Sequence, residues 1–170
     1  MQVISGKYKN LRIDSPNDSR THPMGSREKL ALFNMLQPYL DGARVLDAFA
    51  GTGALGIEAL SRGAKEVVFV EKSAKVAKTI KNNLLKITEL TEIIIGDIEK
   101  YTTAEPFDLI IADPPYDHFE PTQIQALISL LKKDGILVLS HPGDAPEFKN
   151  LKLIKTRSYA AANISIYQNA

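Results

Sequence analysis

The chain has 170 residues, 44% hydrophobic and 24% charged, with a net charge of +1; this excludes a disordered chain, and the net charge by itself does not announce a nucleic-acid binder. It contains no cysteine, which excludes disulfides and thiolate chemistry and fits a reducing, cytoplasmic setting. The longest apolar runs, such as residues 109–112 and 136–139, fall far short of the ~20 residues of a membrane helix, and Met1-Gln2-Val3-Ile4 leads straight into polar residues, unlike a secretory leader.

Charge is uneven along the chain. Residues 1–29 hold six basic and three acidic side chains, a net of +3 on a body that sums to −2. Such an arm suits phosphate contact, or is a solvated face. Residues 2–4 and 11–13 are β-prone pieces around Gly6-Lys7-Tyr8-Lys9-Asn10, the pattern of a basic hairpin. Residues 14–24, rich in Ser, Pro, Asn and Asp, form a loop. Ser26 caps a helix in which Leu30, Phe33, Leu36 and Leu40 recur at helical spacing, and Asp41-Gly42 stops it.

Strands and helices then alternate. Residues 44–48 are a strand and 54–62 a helix ended by Gly63. Residues 66–71 are a second strand, and Ser73 caps a helix to about residue 85 with Val76, Ile80 and Leu84 on one face. Residues 92–95 are a third strand, 98–101 a helical turn and 107–112 a fourth strand. Residues 122–132 are a helix and 135–139 a fifth strand; 140–150 are a Pro/Gly loop, and 152–158 with 163–168 close the chain as a hairpin. Apolar strands alternating with amphipathic helices predict an α/β fold, a mostly parallel sheet covered on both faces. Two final strands without a helix between them make the last one antiparallel. The expectation is one domain over residues 1–170, with residues 1–24 as an appendage.

Gly51-Thr52-Gly53-Ala54-Leu55-Gly56 follows the first strand and opens a helix, so its glycines bring backbone close to a ligand. Glu71, twenty residues after Gly51 and followed by Lys72, ends the next strand, where a carboxylate can accept hydrogen bonds from a ribose diol. A plain turn with a surface Glu is the alternative. Phe49-Ala50 separates the strand from the first glycine and Asp47 stands at the strand tip. A carboxylate there would repel pyrophosphate and suits a ligand with an amino group or sulfonium, such as S-adenosylmethionine. Asp97, before Ile98 and after the third strand, can take an adenine amine or cap the next turn.

Asp113-Pro114-Pro115-Tyr116 follows the fourth strand. The prolines stiffen a carbonyl-lined turn. A planar amine can donate to the Asp113 carboxylate and the Pro114 carbonyl while Tyr116 stacks on its ring, which turns the nitrogen lone pair toward an electrophile.

These motifs resemble a class I S-adenosylmethionine-dependent methyltransferase acting on an exocyclic amine. The run Asp47-Ala48-Phe49-Ala50-Gly51-Thr52-Gly53-Ala54-Leu55-Gly56-Ile57-Glu58-Ala59-Leu60-Ser61-Arg62-Gly63, the opening Val3 to Leu11, and Arg27-Glu28 with Phe33-Asn34 and Leu36 resemble, more narrowly, the RsmD family of 16S rRNA (guanine-N2)-methyltransferases. The resemblance implies a Rossmann-like seven-stranded sheet with an antiparallel C-terminal hairpin. It implies S-adenosylmethionine held by Asp47, Phe49, Gly51, Gly53, Glu71, Lys72, Asp97, Ile98 and Asp113, and a guanine held by Asp113, Pro114 and Tyr116. Lys7, Lys9, Arg12, Arg20 and Arg27 would meet ribosomal RNA, free or in an assembled small subunit. No metal and no membrane are implied, and the protein would act as a monomer. The chain departs from the family at Arg20-Thr21-His22-Pro23-Met24, where Arg-Pro-Thr is usual, and at Asn10, where glycine is expected. His22, His118 and His141 are scattered and read as surface or loop residues. Three rivals stay open: another exocyclic amine (adenine, cytosine or protein glutamine), a nicotinamide-dependent oxidoreductase, and a non-catalytic RNA-binding module.

Overall fold

A computed structural model describes residues 1–16, 24–118, 120–159 and 162–170. Much of the predicted loop over residues 14–24 therefore lies outside the described residues, and with it Arg20 and His22.

The strands are β1 (Arg44–Asp47), β2 (Glu66–Glu71), β3 (Leu90–Ile95), β4 (Phe107–Ala112), β5 (Leu131–His141), β6 (Leu151–Ser158) and β7 (Asn163–Asn169). They form a seven-stranded sheet in the order β3-β2-β1-β4-β5-β7-β6. Strands β1 to β5 pair in parallel, and β7 runs antiparallel to both β5 and β6. The order reverses between β1 and β4, the switch point at which open α/β sheets form a crevice outside the carboxyl ends of their strands. Helices α1 (Ser26–Leu36), α2 (Ala54–Ser61) and α3 (Ala74–Leu84) bury apolar residues on one face, and α4 (Pro121–Ile128) does so on the other. Alternate residues of one strand face opposite layers: Val45, Leu109 and Ile111 meet α1 and α2, whereas Leu46 and Ile110 join the layer of α4. Burial on both sides is why these strands read as unbroken apolar runs.

β4 and the Ser73 cap, whose Oγ accepts the Val76 N–H at 3.3 Å, match the sequence reading. Three expectations need correction. The fourth helix stops at Ile128 instead of 132, because Leu130 and Leu131 turn inward against the sheet and the Leu130 carbonyl accepts the Phe107 N–H at 2.8 Å. β5 therefore starts at Leu131, and its register with β4 jumps from Phe107↔Leu131 to Leu109↔Ile136. The N-cap of α1 is Gly25, not Ser26, and its buried face is Lys29, Leu32, Phe33 and Leu36 while Leu30 is exposed. His141 is fully buried at the end of β5, its Nε2 sharing a hydrogen bond with Ser165 Oγ at 2.8 Å; nothing but its apolar flank hinted at this.

The basic N-terminal segment is a hairpin held by a Gln2↔Arg12 bridge and the bond from Val3 N–H to the Leu11 carbonyl. It is docked rather than free, with Val3 and Ile13 buried in the core. At Gly6 a Cβ would stand 1.7 Å from the Ser61 carbonyl oxygen, so only glycine lets the hairpin seat on the end of α2. The Lys7 N–H then donates to Ser61 O and the Tyr8 N–H to Ser61 Oγ. One turn earlier in α2, buried Glu58 accepts the N–H groups of Ile4 and Ser5 at 2.8 and 3.1 Å and pairs with Lys29 at 3.4 Å and Arg62 at 2.7 Å. A buried carboxylate persists only with such partners. The need for that counter-charge explains a lysine on the inner face of α1; burial pulls the Lys29 ammonium below its ordinary pKa, and Glu58 opposes the shift.

Candidate active site

Asp47 ends β1 and is 1% exposed. Its Oδ2 accepts the Gly56 N–H at 2.9 Å from the first turn of α2. Burial, with lesser repulsion from Asp113 and Glu71, raises its carboxyl from the ordinary range to about 7, against the pull of the Gly56 N–H. No ion pair to Asp47 exists among the described residues. A buried carboxylate without a cation is costly and fits a ligand that brings one. The third glycine of the motif packs: a Cβ on Gly56 would meet the Phe69 ring at 2.2 Å, so a side chain there would push α2 off β2.

Glu71 ends β2 and braces the glycine loop. Its Oε2 accepts the Gly51 N–H at 2.9 Å and its Oε1 the Ser73 N–H at 2.7 Å. Each oxygen keeps one further lone pair, so the brace leaves room for two hydroxyl donors. Asp97 caps the turn Ile98–Lys100 through the Glu99 N–H at 3.2 Å and pairs with Lys72 at 3.1 Å. Lys72, then the Glu99 N–H, holds the Asp97 carboxyl below its ordinary pKa. The capping alternative is thus realised, and Lys72 serves Asp97. Ile98 is buried and Phe49 half-buried, both in the layer of α4.

Asp113-Pro114-Pro115-Tyr116 leaves β4 beside Asp47, since Asp47 pairs with Ile111. Pro114 is buried, and Asp113 and Tyr116 are half-buried. The Tyr116 hydroxyl hydrogen-bonds Ser140 Oγ on β5. Burial lifts the Asp113 carboxyl to about 6, against the Ser140 hydroxyl, and lifts the Tyr116 phenol, with Asp113 adding to the rise. Ser140 was not foreseen; a serine inside an apolar strand was its one signal. Asn83 was missed as well. It is fully buried on α3, its Nδ2 donating to the carbonyls of Asp14 and Thr52 at 3.0 Å while its Oδ1 accepts the Asp14 N–H at 2.9 Å. It ties the end of the hairpin to the glycine loop.

The sheet therefore gathers Asp47, the glycine loop, Glu71, Asp97, Asp113 and Tyr116 at the carboxyl ends of its parallel strands. The basic arm is placed differently. Lys7 sits at the far end of α2, ~12 Å of helix from the glycine loop, with its Nζ on Glu89 at 2.6 Å. Lys9, Arg12 and Arg27 are exposed.

Asp47 gives a signed pH test. The native carboxyl holds its proton up to about pH 7, whereas an unfolded aspartate releases it near ~4. Between those values the native state binds more protons, so stability of the ligand-free protein falls as pH rises and levels above about 7. Thermal melts from pH 4.5 to 8 should show this slope in wild type and a shallower one in Asp47→Asn. Equal slopes would mean that Asp47 is ionised in the empty site.

The parallel sheet and its reversed C-terminal strands are those of the class I methyltransferases. The Escherichia coli protein yhhF superposes with a TM-score of 0.87, covering 99% of this chain and 97% of its own at 24% identity, and so shares the fold. The chain belongs to the family described as conserved hypothetical protein 95, whose pattern matches residues 1–168, and which takes in its relatives among the RsmD proteins. The ribosomal RNA small subunit methyltransferase D of Haemophilus influenzae is 34% identical over 99% of this chain and 94% of its own length. YlbH of Bacillus subtilis is 35% identical over 99% and 98%.

Proposed function

We propose that the protein methylates the exocyclic N2 amine of a guanine in 16S ribosomal RNA, with S-adenosylmethionine as donor. The observation that carries this reading is the pairing of a buried, cation-free Asp47 under the glycine loop with Asp113 and Tyr116 on the adjoining strand end. The site fits the donor: Asp47 would take its α-amino group, the loop at Gly51 and Gly53 its methionine end, Glu71 its ribose hydroxyls, and the Asp97-Ile98 turn its adenine. When bound, S-adenosylmethionine supplies a methyl group made electrophilic by its sulfonium.

Asp113 and the Pro114 carbonyl accept the two N–H bonds of the amine and so orient its lone pair. Tyr116, anchored by Ser140, presents its ring to the base. With a carboxyl near 6, Asp113 is ionised at neutral pH and takes the proton that the nitrogen sheds on bonding to carbon. The guanine must leave its stack, a cost of a few kcal/mol that is smaller in unpaired RNA. A dinucleotide reading would set pyrophosphate against Asp47 and leaves the Asp-Pro-Pro-Tyr turn without a task.

The test is transfer of a tritiated methyl group to naked 16S rRNA and to undermethylated small subunits, followed by mapping of the modified base. Label on one guanine N2 is the expected result. Label on adenine or cytosine would move the substrate to another amine. Absence of label, together with calorimetric binding of NADH and not of S-adenosylmethionine, would overturn the enzyme class.

A further inference from the structure

The far edge of the sheet carries a second basic feature, in register with the strand end that holds Tyr116. Ser140 of β5 lies opposite Ile164 of β7, and Ile164 lies opposite Arg157 of β6. Paired residues point to the same face. Ser140, which holds Tyr116, thus shares a face with Arg157 two strand spacings away, ~10 Å between backbones. Lys155 pairs with Ile166 and Lys152 with Gln168, so these three cations form one row.

Their spacing in the chain is uneven, and a plain strand would put them on opposite faces. A register shift between Leu153 and Lys155 inserts one residue, and the insertion is what aligns them. The face is the one covered by α1 and α2 further in, since Ile164 and Ile166 belong to that layer. Every residue from Lys152 to Ser158 is exposed, and no ion pair among the described residues involves β6. By contrast, Lys7 of the arm is already held by Glu89.

Resting on the function proposed above, we propose that Lys152, Lys155 and Arg157 form a track for the phosphates of the RNA strand on either side of the target guanine. The row starts beside the catalytic turn at Arg157 and runs along β6 away from it. The base enters the pocket while the backbone stays outside, where three uncompensated cations in line match a phosphate chain. Lysines on an edge strand can instead serve only to stop edge-to-edge pairing, and the experiment separates the two.

The test compares the full-length wild type with the triple variant Lys152→Gln/Lys155→Gln/Arg157→Gln. Affinity for naked 16S rRNA is measured from low to moderate salt, alongside S-adenosylmethionine affinity by calorimetry. The expected result is about tenfold weaker RNA binding at low salt, with a log–log salt slope shallower by about 2, as three lost single-strand phosphate contacts require. Donor affinity equals that of wild type, which shows the variant folded. Unchanged RNA affinity and slope, with wild type still methylating RNA, would overturn the track alone, as would self-association of the variant without loss of RNA binding. A wild type that transfers no methyl group to RNA would overturn the methyltransferase reading and the track with it.

Discussion

Asp113→Ala lowers the rate of methyl transfer by about 10²–10³-fold or more, the scale of losing one preorganised polar group at a reacting centre, while S-adenosylmethionine affinity stays within a few-fold. In the proposed mechanism the carboxylate meets the amine, and its charge only raises Asp47. Removing it therefore eases ionisation of Asp47, so donor binding should hold or tighten slightly. Single-turnover rates with saturating RNA and donor, set beside calorimetry, check this. Lost donor affinity at an intact rate would move Asp113 to the cofactor. The raised carboxyl also predicts that the rate in wild type falls as pH drops through about 6.

Glu58→Gln destabilises the protein by about 3–5 kcal/mol, because it leaves Lys29 and Arg62 in the interior without their counter-charge. Those side chains are 4% and 5% exposed, and Glu58 is fully buried. The amide keeps one oxygen for one of the two hairpin N–H groups and turns its NH2 toward the other, so the loss combines the missing charge with one missing hydrogen bond. Urea unfolding measures the loss, and adding Lys29→Met should recover part of it. A loss below about 1 kcal/mol would mean that water reaches the cluster and screens it.

The same cluster shows where the sequence was legible. Strand β4 and the Ser73 cap were readable because one fully apolar run and one hydroxyl-led helix start carry local signals. The four carboxylates at the strand ends were readable for the same reason: a strand exit has a fixed address in an α/β sheet. Lys29 was not, since helical spacing offered Leu30 for the inner face and only Glu58, 29 positions on, reverses the choice. Asn83 and Ser140 act on residues 31 and 24 positions away, and no local pattern announces such pairs. The misplaced start of β5 has another cause. Residues 122–132 continue a helical rhythm, and only the demand of the sheet for Leu130 and Leu131 breaks it. The proposed RNA contacts were read from charge, yet charge alone does not say that Lys7 is spent on Glu89 or that a bulge lines up β6.

The docked hairpin sets the order of assembly against the order of synthesis. Residues 1–14 leave the ribosome before their seats, which lie at Glu58, Ser61, Asn83 and Glu89. At about 5–20 residues per second, the stretch from Asp14 to Glu89 takes roughly 4–15 s to emerge. Throughout that interval Val3 and Ile13 have nowhere to bury. A segment made earlier than its seats is therefore among the last to gain its native contacts, and Asp14 is tied to the glycine loop only after α3 exists to hold it.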